Sequence, residues 1–206
     1  MPLPRPPSPR PVDVEATGGS PIATDDRVLV VGVVPPPRFG RESEVAATAR
    51  ALASAGADLV DVSLEPRLIG PAVQAAPVPV AVTVASLDAA ADAGRAGAEL
   101  VLLPPSALAG ATEAEVRAVT VPLAAVVTDP AAVPRARATV ARAGLATAFD
   151  STRLPAGDAL AAESLAVTDG CRLIRTSDVR RSRRVAEVLG AVLAARHPRD
   201  DGRDRS

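Results

Sequence analysis

The 206-residue chain contains no lysine, tryptophan or tyrosine, and only two phenylalanines, one cysteine and one histidine. Each scarcity closes a class of explanation. With so few aromatic rings there is no platform on which the bases of single-stranded nucleic acid could stack. A formal net charge of −1 supplies no global field to draw in nucleic acid or an anionic membrane, although a local basic patch stays open because all 23 basic side chains are arginine. The lone Cys171 cannot close an intrachain disulfide. Its place in the apolar run CRLIR reads as a small buried hydrophobe, which suits a reducing cytoplasm. No stretch approaches the roughly 18 uninterrupted apolar residues of a membrane span, and the arginine-bearing N-terminus has no apolar signal-peptide region. Cysteine and histidine do not occur at metal-ligand spacing, and there is neither a G-x-S-x-G elbow nor a phosphate loop.

What the chain does have is apolar content, at 48%, enough to bury one sizeable core in a single α/β domain. Three zones are visible. Residues 1–26 are rich in Pro, Gly, Ser and Thr and read as a disordered leader, because such a composition buries too little apolar surface to offset chain ordering. Residues 27–197 form the expected domain. Residues 198–206 are a charged tail expected to be frayed, and His197 beside it is no catalyst.

Within the domain, apolar runs alternate with alanine-rich helical patterns. The strand-like runs are RVLVVGVV from Arg27, DLVDVS from Asp58, VPVAVTV from Val78, ELVLLP from Glu99, VPLAAVV from Val121, LATAFD from Leu145 and CRLIR from Cys171. Helical patterns separate them, including SEVAATARALASAGA with Ser43 as N-cap and Gly56 at its end. The strand runs are continuously apolar, as parallel strands covered by helices require. Repeated β/α units close either as a doubly wound sheet or as a barrel. No G-x-G-x-x-G follows the first strand, which removes the best support for a dinucleotide-binding sheet.

Two segments carry a family resemblance: GADLVDVS at Gly56–Ser63 and CRLIRTSDV at Cys171–Val179, the latter running into an arginine-rich helix. The chain resembles the dihydropteroate synthase family, whose second strand reads Gly-Ala-Asp-(apolar)₂-Asp-Val-Gly-Gly-Glu and whose last unit carries Arg-x-His-Asp-Val. The resemblance implies a TIM-barrel-like (β/α) barrel of parallel strands. Only seven strands are countable where a complete barrel has eight, and the absent β/α unit falls between LATAFD and the last strand. With it goes the family's pterin-site lysine. Arginine is no substitute for that compact ammonium.

Carried over position by position, the resemblance leaves four candidate ligand-binding residues: Asp61, Asp150, Arg175 and Ser177. Asp61 matches the second-strand aspartate, with Glu65 and Gly70 also in place and Ser63-Leu64 where the Gly-Gly would be. Asp150 matches the aspartate of an Asp-Pro-Gly segment whose Pro-Gly is now Ser151-Thr152. Arg175 stands at the anion-binding arginine, Ser177 at the histidine, and Asp178-Val179 are kept. Against these, Pro35 to Phe39 replace the loop whose asparagine helps bind the diphosphate-associated metal, and Pro66-Arg67-Leu68 replace the Ser-Thr-Arg on the p-aminobenzoate side. Thr83 stands for a pterin-binding carboxylate, and Leu102-Leu103 for an Asn-Asp. A buried heterocycle edge without its partner costs about 1–3 kcal/mol, so losing a carboxylate, an amide and a lysine is comparable with micromolar binding itself, about 8 kcal/mol.

Structural readings stand beside the functional ones. Asp61 either points into a barrel mouth or caps a loop; Asp150 either serves a site or makes an Asx-turn. Arg175 either holds a phosphate or pairs with Asp61 or Glu65. Glu65 and Arg67 read as a solvated loop. The run Arg180 to Arg184 reads as a solvated face or as a docking surface, since members of the family dimerise through their last helices. The resulting expectation is a cytoplasmic, degenerate, non-catalytic member of this folate-pathway family with no cofactor, acting as an accessory or ligand-binding protein for a pterin or a phosphorylated small molecule. It would pair, as a homodimer or with a complete synthase, through the C-terminal helix. The alternative is an active synthase, using Mg²⁺, that condenses dihydropterin methyl diphosphate with p-aminobenzoate.

Overall fold

A computed structural model of the chain describes residues 27–35, 42–62 and 66–196. The expected leader and tail, His197, Ser63 to Glu65 and most of the first-loop positions lie outside the described residues. Seven parallel strands close into a barrel in chain order: β1 (Leu29–Val33), β2 (Leu59–Asp61), β3 (Val80–Thr83), β4 (Leu100–Leu103), β5 (Leu123–Val127), β6 (Ala146–Asp150) and β7 (Leu173–Thr176). The helices are α1 (Glu42–Ser54), α2 (Pro66–Ala75), α3 (Leu87–Arg95), α4 (Pro105–Ala109), α5 (Glu113–Ala118), α6 (Val133–Val140), α7 (Ala156–Thr168) and α8 (Val179–Arg196). The barrel expected from the sequence is therefore present. Its seam is intact where a unit was expected to be absent: β6 pairs directly with β7, Asp150 opposite Arg175, and β7 pairs with β1, Leu29 opposite Leu173.

Closing on seven strands narrows the barrel, since diameter grows with strand number. The interior is correspondingly small in side-chain volume. Ala81, Ala124 and Ala148 share it with Leu100, Leu102 and Leu173, and every strand contributes to this buried cluster. The alternate residues of the same strands face the helices, where Val60, Val80, Val82 and Val101 pack with α1 to α3. Both faces are thus apolar, which explains the unbroken hydrophobic runs. At Gly32, a Cβ would lie 2.8 Å from the Val179 Cγ2 and 3.2 Å from the Leu52 Cβ, so only glycine lets α8 and α1 approach β1 so closely.

Three local expectations need correction. Helix α1 starts at Glu42, so Ser43 lies inside its first turn rather than at the cap. Residues 66–68, read as loop, begin α2, and this places Arg67 on a helix. Helix α4 had no counterpart in the sequence reading. It starts on Pro105, whose fixed φ suits a first helical position. The α8 helix is tied to the barrel by Arg183, which donates to the Gly56 carbonyl and the Asp58 carboxylate; Asp58 also accepts from the Val30 amide at 2.8 Å and from Arg27 at 2.5 Å. Among the described residues no helix is long and apolar enough to cross a membrane.

Candidate functional site

Strand alternation aims the site. Leu59, Ala81, Ala148 and Leu173 point into the barrel, so the residues two further on, Asp61, Thr83, Asp150 and Arg175, share that face at the C-terminal ends of their strands. This is the end at which barrel sites lie. Arg175 bridges the mouth. Its Nε donates to the Asp61 Oδ2 at 2.5 Å, and its Nη1 donates to the Asp150 Oδ2 at 2.7 Å. The Thr83 hydroxyl donates to the same Asp61 oxygen at 2.7 Å. Asp150 is held on its other oxygen by the Thr152 amide at 3.0 Å and the Thr152 hydroxyl at 2.7 Å. Asp150 therefore makes the Asx-turn and also pairs with Arg175 at the mouth.

Burial is deep here: Asp61 is 0% exposed and Arg175 8%. A buried charge survives only with an opposite charge and hydrogen bonds around it. Burial works against the guanidinium charge, but the Asp61 carboxylate, followed by Asp150, outweighs it and holds Arg175 above its ordinary value. Of the four candidates, three meet in one network. Ser177 does not join it and stands exposed in the turn between β7 and α8.

Sequence reasoning missed a second cluster on the outer side of the same wall. Ser151 and Thr176, the neighbours of Asp150 and Arg175, face away from the mouth toward α7 and α8. There Glu163 of α7, 1% exposed, makes hydrogen-bond contacts through Oε1 with the Ser151 hydroxyl at 2.6 Å and the Ser182 hydroxyl at 2.8 Å. Burial, first of all, pushes the Glu163 carboxyl above the ordinary carboxylate range. A signal for this cluster was available: Glu163 sits on the stripe Ala159, Ala162, Ala166, Val167, the face that an amphipathic helix turns inward. Cys171 lies in the neighbouring core, where burial pushes its thiol up to about 12 and makes it inert.

The donor set does not fit a divalent cation. No three His, Cys, Asp or Glu side chains among the described residues are grouped to hold one, and both mouth carboxylates already face Arg175. A separate cleft of about 360 Å³ lies outside the barrel between α4, α5 and α6, lined by Leu108, Val116, Thr139, Val140 and Leu145, away from the mouth.

No family model matches the sequence, and no curated protein matches it. The fold does have solved counterparts. The dihydropteroate synthase of Yersinia pestis superposes with a TM-score of 0.62 at 14% identity, over 82% of this chain and 93% of that one. The 7,8-dihydropteroate synthase of Vibrio fischeri matches with a TM-score of 0.62 at 14% identity, over 82% and 94%. A dihydropteroate synthase of Coxiella burnetii, solved in complex with pteroic acid, matches with a TM-score of 0.60 at 15% identity, over 82% and 94%. The chain shares the fold of these enzymes at a sequence distance that leaves its chemistry to be argued from its own residues.

Proposed function

We propose that this chain is a dihydropteroate-synthase-like protein of folate biosynthesis that no longer condenses a pterin diphosphate with an arylamine, and that acts in the cytoplasm as an accessory or ligand-binding subunit. The observation that carries this reading is the state of Arg175. The arginine at the anion-binding position is engaged by Asp61 and Asp150 of the same chain. A diphosphate would have to displace charge-assisted hydrogen bonds, each contributing about 1.5–3 kcal/mol, and would then face two displaced carboxylates. Such a reaction needs the opposite: cationic groups already arranged where leaving-group charge develops.

The rest of the mouth supports the same reading. Where the family resemblance calls for a carboxylate and an amide, this barrel has Thr83, which serves Asp61, and Leu102, which is buried in the interior. No lysine exists anywhere in the chain to supply the missing ammonium. A pterin or a phosphorylated small molecule remains the candidate ligand class. We propose a second copy of this chain as partner, seated on the exposed apolar side chains Leu165 of α7 and Val188 and Val192 of α8.

The test is turnover and calorimetry with purified protein. Dihydropterin methyl diphosphate, p-aminobenzoate and Mg²⁺ should give no dihydropteroate, and the diphosphate should give no heat of binding. Product formation would establish the second reading, an active synthase. Sedimentation would report the partner. A dimer weakened by charge reversal at Arg180 and Arg184 supports the C-terminal helix as its face, and assembly only with a complete synthase would replace the homodimer by a heteromer.

A further inference from the structure

The cluster behind the mouth has a proton count that does not close on hydroxyl groups alone. Four close contacts link it: Ser151 Oγ to Glu163 Oε1 at 2.6 Å, Ser151 Oγ to the Arg175 carbonyl at 3.2 Å, Ser182 Oγ to Glu163 Oε1 at 2.8 Å, and Ser182 Oγ to Thr176 Oγ1 at 2.9 Å. Ser151, Ser182 and Thr176 bring one hydroxyl proton each. Ser151 touches a carboxyl oxygen and a carbonyl oxygen, and its single proton serves only one of them. A carbonyl cannot donate. The Arg175 carbonyl already accepts the Ser151 amide at 2.9 Å; a carboxyl that donates to Ser151 frees the hydroxyl to donate to that carbonyl as well, so that both Ser151 contacts are made at once. The remaining oxygen points to the same conclusion. Glu163 Oε2 is buried and has no hydrogen-bond partner, which is far more costly for an ionised carboxylate than for a neutral acid.

We infer that Glu163 carries a proton in the folded chain and forms a neutral clasp that fastens α7 and α8 to the ends of β6 and β7, the strands that present Asp150 and Arg175. The clasp is then a pH-sensitive element. Ionisation would put a bare charge among the helices and loosen the outer support of the mouth. The charged groups around Glu163 do not cancel this. Asp178, at the start of α8, repels a second negative charge, and Arg181 attracts one less strongly. Arg181 is itself paired with Asp178 at 3.4 Å. From the strands, Asp150 and Arg175 turn their side chains to the opposite face, where they pair with one another. Within α7 and its core, the nearby thiol of Cys171 is neutral.

The sign follows from linkage. An acid held above its ordinary value in the folded state, here above 4.5, gives stability that is fully present below that value and is lost as pH rises toward the folded value. Glu163→Gln preserves the shape, has its own N–H donors and does not titrate. Thermal melts across the neutral range should therefore show the natural chain losing stability with rising pH relative to Glu163→Gln, with the two converging in acid. Isotope-edited infrared spectra of glutamate-labelled chain should show a protonated-acid carbonyl band at neutral pH that Glu163→Gln removes. If that variant does not fold, the infrared titration of the natural chain decides alone. Parallel melting curves, or carboxylate bands only at neutral pH, would overturn the inference.

Discussion

On the inner side of the β6–β7 wall, a guanidinium lies between Asp61 and Asp150 and pairs with both. On the outer side, one residue along each strand, the hydrogen-bond contacts of Glu163 are with hydroxyl groups, and it keeps a proton instead. Each cluster holds a fully buried carboxyl group, Asp61 in one and Glu163 in the other, yet their chemistry is opposite. Burial alone therefore does not set the charge of a carboxyl group; the available donors do. Arginine brings a permanent charge and a rigid fork of donors, and serine brings one proton that must often be shared.

The contrast can be broken most forcefully at Arg175. Arg175→Met removes the guanidinium that pairs with both Asp61 and Asp150 and should lower stability by about 3–5 kcal/mol in urea denaturation at neutral pH. A loss below about 1 kcal/mol would mean that the inner cluster is solvated and the contrast unfounded. Asp61→Asn is milder, because Asp150 still faces the guanidinium and Thr83 keeps a partner. We expect a loss of about 1–3 kcal/mol by the same measurement. On the outer side, Ser182→Ala removes one of the two hydroxyl groups on Glu163 and should cost only about 1 kcal/mol, the usual figure for a neutral hydrogen bond. A loss of about 3 kcal/mol would identify a charged acceptor and place both clusters in one class. The smallest effect belongs to Leu165→Ser, within about 0.5 kcal/mol for the single chain. Its informative readout is the sedimentation coefficient, which falls only where the α7–α8 face is covered.

Much of the inner cluster was legible in advance. Asp61, Asp150 and Arg175 stand at the ends of continuous apolar runs, and parallel β/α units bring all such ends to one rim. The hydroxyl partners were less legible. Thr83 read as the replacement of a lost carboxylate, whereas it holds the carboxylate of the neighbouring strand β2. Ser177 occupies a motif position but lies beyond the strand end and faces solvent, so its place in the motif did not fix its direction. Glu163 was visible as an acid on an inward helical stripe, but nothing linear joins it to Ser151 and Ser182, which lie 12 and 19 positions away. Helices α2 and α4, which carry Pro66, Pro71 and Pro105, had no counterpart among the helical patterns. Two of these prolines open helices, where a missing amide costs little.

By its order of residues alone, the chain determined seven buried parallel strands, most of their covering helices and the absence of lysine, because periodicity and composition are local properties that need no partner. Closure of seven strands without a gap, the capture of Arg175 by two carboxylates and the proton on Glu163 were decided only in three dimensions. Each depends on which groups from distant positions arrive within hydrogen-bonding distance once water has been excluded.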